Sequence, residues 1–157
     1  MTKITKVHFH QKFLVGGFDF PTATDLPFMT SDEVNRLYGW LTDILDGKSH
    51  VGTNKPSGYK NGTPIIGAEL YRANNIWHYH CGPYLKNDDP PQQLTDNTLA
   101  ENALGRLSAP VYHYAKNHEA IIVLGFSRLH NPFPILTSAK NPLQLRGTSL
   151  DDIVEFT

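Results

Sequence analysis

Two histidines separated by a single residue stand in the run Ile76-Trp77-His78-Tyr79-His80-Cys81, and a second such pair, His8 and His10, stands near the N-terminus. In an extended segment the side chains alternate, so His78 and His80 point one way and Trp77, Tyr79 and Cys81 the other. Imidazole titrates near neutral pH and binds late transition ions, which opens two chemistries to such a pair. One is metal binding, with the two H-x-H pairs as ligands. The other is metal-free cleavage of RNA, whose 2′-hydroxyl is its own nucleophile. That reaction needs a general base, a general acid for the leaving 5′-oxygen, and cations for the phosphate oxygens. Side chains of the right kinds are His78, His80, Tyr71, Arg72 and Arg128 for proton transfer and charge stabilisation. Lys55, Lys60, Lys86, Lys116, Tyr114 and His113 would hold the RNA by charge and base stacking. This second chemistry requires no cofactor and no metal.

Elements must bring these groups together, and the sequence suggests which. Ile4–Leu14 reads as a strand, with Val7 and Phe9 alternating against His8 and His10, and Gly16-Gly17 breaks it. Phe18–Phe28 is a Pro-punctuated loop. A helix is expected from about Ser31 to Asp46, capped by Thr30 with Glu33 completing a capping box and Gly47 as the stop. Its apolar stripe is Val34, Leu37, Leu41, Ile44 and Leu45, with Trp40 beside it. Gly52–Gly67 reads as a mobile basic loop. Two hairpins follow. Ala68–Arg72 would pair with Ile76–Cys81 across Ala73-Asn74-Asn75, and Val111–Ala115 with Ala120–Phe126. In the first hairpin a two-residue turn sets Tyr71 opposite His78 and Glu69 opposite His80, whereas a three-residue turn brings Arg72 to the histidine face. Between the hairpins a short helix is expected near Thr98–Leu107. Arg128 and His130 lie where the last apolar strand ends, Asn131–Pro134 stops regular pairing, and the tail holds at most a short helix around Ser149–Val154. Sequential hairpins predict an α+β fold on an antiparallel sheet.

With 157 residues, of which 39% are hydrophobic and 18% charged, the chain reads as a single domain able to bury its own core. An N-terminal strand and loop (1–30) and a C-terminal tail (149–157) extend it. The single cysteine, Cys81, forms no internal disulfide, and with no leader-like N-terminus a cytoplasmic location is expected. The apolar run at Ala120–Gly125 is too short to span a bilayer, so no membrane partner is expected. No GxGxxG, Walker or GxSxG pattern occurs, which removes support for a nucleotide cradle or a serine hydrolase. Net charge is −1, but its distribution is uneven. Lys48, Lys55, Lys60, Arg72 and Lys86 face one acid, Glu69, between Gly47 and Lys86. Arg106, Lys116, Arg128, Lys140 and Arg146 face only Glu119 between Arg106 and Arg146. A cationic sheet region of this kind suits a polyanion such as RNA.

Ile76-Trp77-His78-Tyr79-His80, Pro90-Pro91-Gln92-Gln93-Leu94, Val111-Tyr112-His113-Tyr114, the strand Ala120–Gly125 and the exit Leu129–Pro134 together resemble the YafO-type branch of the RelE-like toxins. The resemblance covers about half of the chain. It implies a curved antiparallel sheet with helices packed on one face. The implied activity is that of a toxin of a type II toxin–antitoxin pair, a metal-independent endoribonuclease cutting mRNA on the ribosome and neutralised by a cognate antitoxin. His78 and His80 would then carry over from the family's H-x-H strand. The near-neutral charge departs from the basic character of such toxins. Metal binding by the two H-x-H pairs, and a non-catalytic module that binds nucleic acid or protein, are the alternative readings.

Overall fold

In chain order the elements are β1 (Lys6–His10), α1 (Gln11–Val15), a small hairpin of β2 (Asp19–Phe20) and β3 (Ala23–Thr24), α2 (Ser31–Leu45) and β4 (Asn54–Pro56). A second small hairpin of β5 (Tyr59–Lys60) and β6 (Thr63–Pro64), then α3 (Glu69–Ala73), β7 (Ile76–His80), β8 (Val111–Asn117), β9 (Ala120–Ser127) and β10 (Ile153–Glu155) complete the chain. They come from a computed structural model that describes residues 2–85, 91–130, 141, 143, 146 and 152–156. Six strands form one sheet in the order β10-β1-β9-β8-β7-β4. The fold is α+β, as expected. The sheet is mixed, not antiparallel throughout, because β1 runs parallel to β9 and antiparallel to β10. Alternation along Val7–His10 marks a strand but says nothing about its partner, so this pairing was not legible.

Local sequence does determine α2. The Thr30 hydroxyl accepts the Glu33 amide while the Glu33 carboxylate accepts the Thr30 amide, and Gly47 beyond the end has φ of 75°, a left-handed value that glycine adopts at low cost. Leu37, Trp40, Leu41 and Ile44 are buried, whereas Leu45 stays exposed. The buried stripe packs on Val7, Phe9, Tyr79, Tyr112, Tyr114, Ile121, Val123 and Phe126. Trp40 stacks on Tyr79 with centroids 4.8 Å apart. Thr30→Ala should cost about 1 kcal/mol, read as a lower urea midpoint with unchanged m-value; no change would mean that the cap is replaced by solvent.

The opposite sheet face is also covered. Ile76, Ala115, Ile122 and Leu124 lie under Ala68, Tyr71 and Leu143, so helical cover is not confined to one side. The two faces alternate through β8 and β9, and a bulge between His113 and Tyr114 keeps them in step by leaving Leu124 out of the pairing. The β8–β9 turn forms at His118, with φ of 55°.

Several local expectations fail for identifiable reasons. Glu69–Ala73 is a helix turn, not a strand, so the expected first hairpin does not exist. Asn75 does take the left-handed conformation, φ 51°, but it turns the chain out of a helix. The 52–67 segment is paired through β4 and the β5–β6 hairpin. Gly52 permits this, because a Cβ there would lie 2.0 Å from the His80 carbonyl oxygen. Residues 98–107 form no helix. Asn102 and Arg106 instead bridge to Asn54 and Gly52. The first strand stops at His10, whose Nδ1 accepts the Lys12 amide and starts α1. Ile153–Glu155 is a strand where a helix was expected. Asn131–Pro134 lies outside the described residues.

Candidate metal centre

β7 presents His78 and His80 on the sheet face away from α2, as period two requires, while Trp77, Tyr79 and Cys81 join the α2 side. The neighbours of β7 are β8 and β4, and they set what surrounds the rings. His78 stands directly opposite His113 on one side and Lys55 on the other. Opposed residues share a face. His130, just past β9, completes a group of three. Its ring centroid is 4.9 Å from that of His78 and 5.1 Å from that of His80, and His78 and His80 are 5.4 Å apart. One nitrogen from each ring lies within 4.8 Å of the other two.

The outer nitrogens are tied down. His80 Nδ1 is 2.7 Å from the Ser108 carbonyl oxygen, a contact that requires the proton on Nδ1 and leaves the Nε2 lone pair directed elsewhere. His78 Nδ1 is 3.1 Å from the Ser57 hydroxyl, which can accept its proton in the same way. His80 is 5% exposed, His78 is half-buried and His130 is exposed. Burial drives all three imidazoles below their ordinary range. His80 falls to about 4, with the Ser108 carbonyl opposing the shift and His130 and Lys55 adding to it. His78 is pushed down by burial, then by His113, His130, His80 and Lys55, and His130 by burial and Lys55. Neutral rings are what metal coordination needs and what a proton donor or phosphate anchor cannot use.

The other expected site residues are dispersed. Tyr71 is buried on α3 and accepts a hydrogen bond from the Asn141 amide, and the strand partners of His78 are Lys55 and His113 in place of the Tyr71 that a hairpin would have set there. Arg72 donates to the carbonyls of Gly58 and Ile65 at 2.8 and 2.9 Å, fastening the β5–β6 hairpin to α3. Arg128 holds both Glu33 oxygens, at 2.8 and 2.9 Å, and the Phe28 carbonyl at 3.1 Å, so its fork is spent on the N-terminus of α2. Tyr114 is fully buried and donates to Asn54 Oδ1 at 2.6 Å; no base can stack on it. His113, 2% exposed, meets the Ser127 hydroxyl at 2.8 Å, and that hydroxyl donates to the Thr22 carbonyl at 2.6 Å. His113 therefore donates from Nε2 into a structural relay and not to RNA. Lys116 sits 3.8 Å over the Trp77 ring and donates to the Leu99 carbonyl at 2.6 Å, and burial lowers its ammonium to about 8. Lys60 is exposed on β5. Lys86 lies outside the described residues. Among the described residues of this set, Lys55 and His113 flank His78, and His113 is already engaged with Ser127.

The two H-x-H pairs do not meet. β9 and β8 separate β1 from β7, and His10 is fully buried at the start of α1. The third member of the cluster is His130, and its signal in the sequence was its position at the end of an apolar strand, where side chains leave the core. Ser57 and Ser108 carried no signal, since both lie in irregular segments.

No family model, curated protein or solved structure matches this chain. The YafO-type and RelE-like resemblance therefore rests on its short motifs alone. No helix among the described residues is long and apolar enough to cross a membrane.

Proposed function

We propose that this chain is a metal-dependent enzyme whose ion, of the Zn²⁺ class, is held by His78, His80 and His130. The observation that carries this reading is the convergence of three imidazole nitrogens, within 4.8 Å of one another, from two chain segments some fifty residues apart. A tetrahedral ion with bonds of about 2.0–2.1 Å brings its ligands to about 3.3 Å from one another, within reach of small ring rotations. The Nδ1 contacts of His80 with Ser108 and of His78 with Ser57 supply the outer hydrogen bonds that orient metal-ligating histidines. Three protein ligands leave a fourth position open, the pattern of catalytic rather than structural sites. An ion held this way supplies a water acidified to near neutral pKa, suited to hydrolysis or hydration. His130 is the exposed member and brings the cluster to the surface.

Protein purified without affinity metals and exposed to Zn²⁺ should bind one ion per chain by calorimetry and elemental analysis. His80→Ala and His130→Ala should weaken binding a hundredfold or more, with His118→Ala as an unaffected control. Absence of binding, or equal binding by all three variants and wild type, would overturn the proposal.

A second reading keeps the chain among metal-free RelE-like mRNA interferases of the cytoplasm, with an antitoxin as partner. What favours it is Lys55 beside His78, a cation within a cluster of imidazoles. It requires one ring protonated near neutral pH, which burial opposes. Expression in a bacterial host separates the two. Growth arrest with mRNA cleavage, abolished in His78→Ala/His80→Ala and undiminished for purified protein in chelator, would favour the nuclease.

A further inference from the structure

The geometry points to an oxyanionic ligand, a carboxylate or phosphate group, bridging the open position of the His78–His80–His130 ion and the ammonium of Lys55. This inference rests on the metal reading above and names its substrate class. Lys55 lies on β4 with His78 as its direct cross-strand partner, so its side chain leaves the sheet on the histidine face. It is half-buried, and its ammonium has no hydrogen bond or ion pair among the described residues. The same charge acts on His78, His80 and His130 alike.

Charge balance makes the argument. Three neutral imidazoles leave both positive charges of a divalent ion uncompensated, and Lys55 adds a third. Among the described residues the cluster includes no carboxylate, and none acts on His80 or His130. Like charges in a half-buried site repel strongly, so Lys55 in this position weakens metal binding unless something negative sits between the two. A group with two oxygens on one centre answers both demands. One oxygen takes the open position on the ion and the other accepts from the Lys55 ammonium, a charge-assisted bond of the stronger kind. A neutral ligand satisfies the ion and leaves Lys55 without a partner.

The test uses Co²⁺, whose visible spectrum reports its coordination, loaded into wild type, Lys55→Met and Lys55→Arg. Lys55→Met keeps the aliphatic stem, and circular dichroism checks that it folds. Sodium acetate and inorganic phosphate should each perturb the wild-type spectrum. Both should bind tenfold or more weakly to Lys55→Met, with partial recovery in Lys55→Arg, and whichever anion shows the larger loss identifies the class. Free imidazole, a neutral ligand, should bind wild type and Lys55→Met alike. Without added anion, Lys55→Met should hold Co²⁺ more tightly than wild type. Anion affinities equal in wild type and Lys55→Met would overturn this inference and leave the metal site standing. Failure of wild type to take up Co²⁺ would overturn both.

Discussion

Asp25→Ala should destabilise the protein by about 3–5 kcal/mol, the usual cost of leaving one partner of a buried ion pair alone. Asp25 and Arg146 meet at 2.7 Å with their side chains only 1% and 3% exposed. Each has further ties. Asp25 accepts the Phe18 amide at 2.9 Å, and Arg146 donates to the Leu124 carbonyl at 2.7 Å with its guanidinium 5.0 Å from the centre of the Phe18 ring. Removing the carboxylate strands a cation beneath the sheet, where neither water nor another acid of the described residues reaches it. Arg146→Met should cost a similar amount through the abandoned carboxylate. The double variant Asp25→Leu/Arg146→Met should be less destabilised than the sum of the singles, since two apolar side chains leave no orphaned charge. Urea unfolding of the four proteins measures the cycle. Single variants that each lose under about 1 kcal/mol would show that solvent reaches the pair.

Acid should unfold the protein well before its carboxylates are neutralised. His10, His50, His80 and His113 are between 0% and 5% exposed, and burial lowers each below 6.5. The facing charges make up the rest. Arg146 and Lys12 add to the shift at His10, against Asp152 and Asp25; Asp43 and Asp96 oppose it at His50; His130, His80 and Arg146 deepen it at His113, which reaches about 3. Above pH 6.5 both folded and unfolded chains carry these rings neutral, and nothing is lost. Below it the unfolded chain takes up protons that the folded chain refuses. Stability then falls by about 1.4 kcal/mol per pH unit for each ring until the folded pKa is passed. For His80 that window closes near pH 4, and for His113 near 3. Chelator-treated protein unfolded in urea from pH 7 to pH 4 should show the slope of several protons. His113→Asn should lower that slope by about one proton, whatever it does to absolute stability; an unchanged slope would exclude His113 from the effect.

How much of this was legible in the sequence differs from element to element. α2 was readable because its signals are local, namely a cap, a box partner three residues on and an apolar stripe. β7 was readable in its alternation, which correctly set His78 and His80 together and Cys81 apart from them. The β8–β9 hairpin followed from two apolar runs around a turn. What failed was everything decided by distant partners. Ala68–Arg72 is five residues long, too short for period two and period 3.6 to be told apart. The sequence around Lys55 reads as a mobile loop because Gly, Pro and Lys dominate it, yet an edge position tolerates Pro56. The position of His130 at the end of an apolar strand marks it as leaving the core, but its convergence on the H-x-H strand depends on β9 lying two strands from β7, and no spacing along the chain reports that. Arg128 reads as a phosphate anchor from its type and its place at the end of an apolar strand; its engagement with Glu33 is a tertiary fact.

The parallel contact between β1 and β9, closed on its outer side by β10, joins segments more than a hundred residues apart in the chain. Such pairings demand the largest loss of chain freedom before any reward arrives, so topology places them late in folding. The β8–β9 ribbon, whose strands are two residues apart, can assemble first and act as the template. A nascent chain on a ribosome thus leaves this backbone edge of β1 unpaired until β9 has emerged. The imidazole cluster, drawn from β7 and the far end of β9, can form without waiting for that last seam.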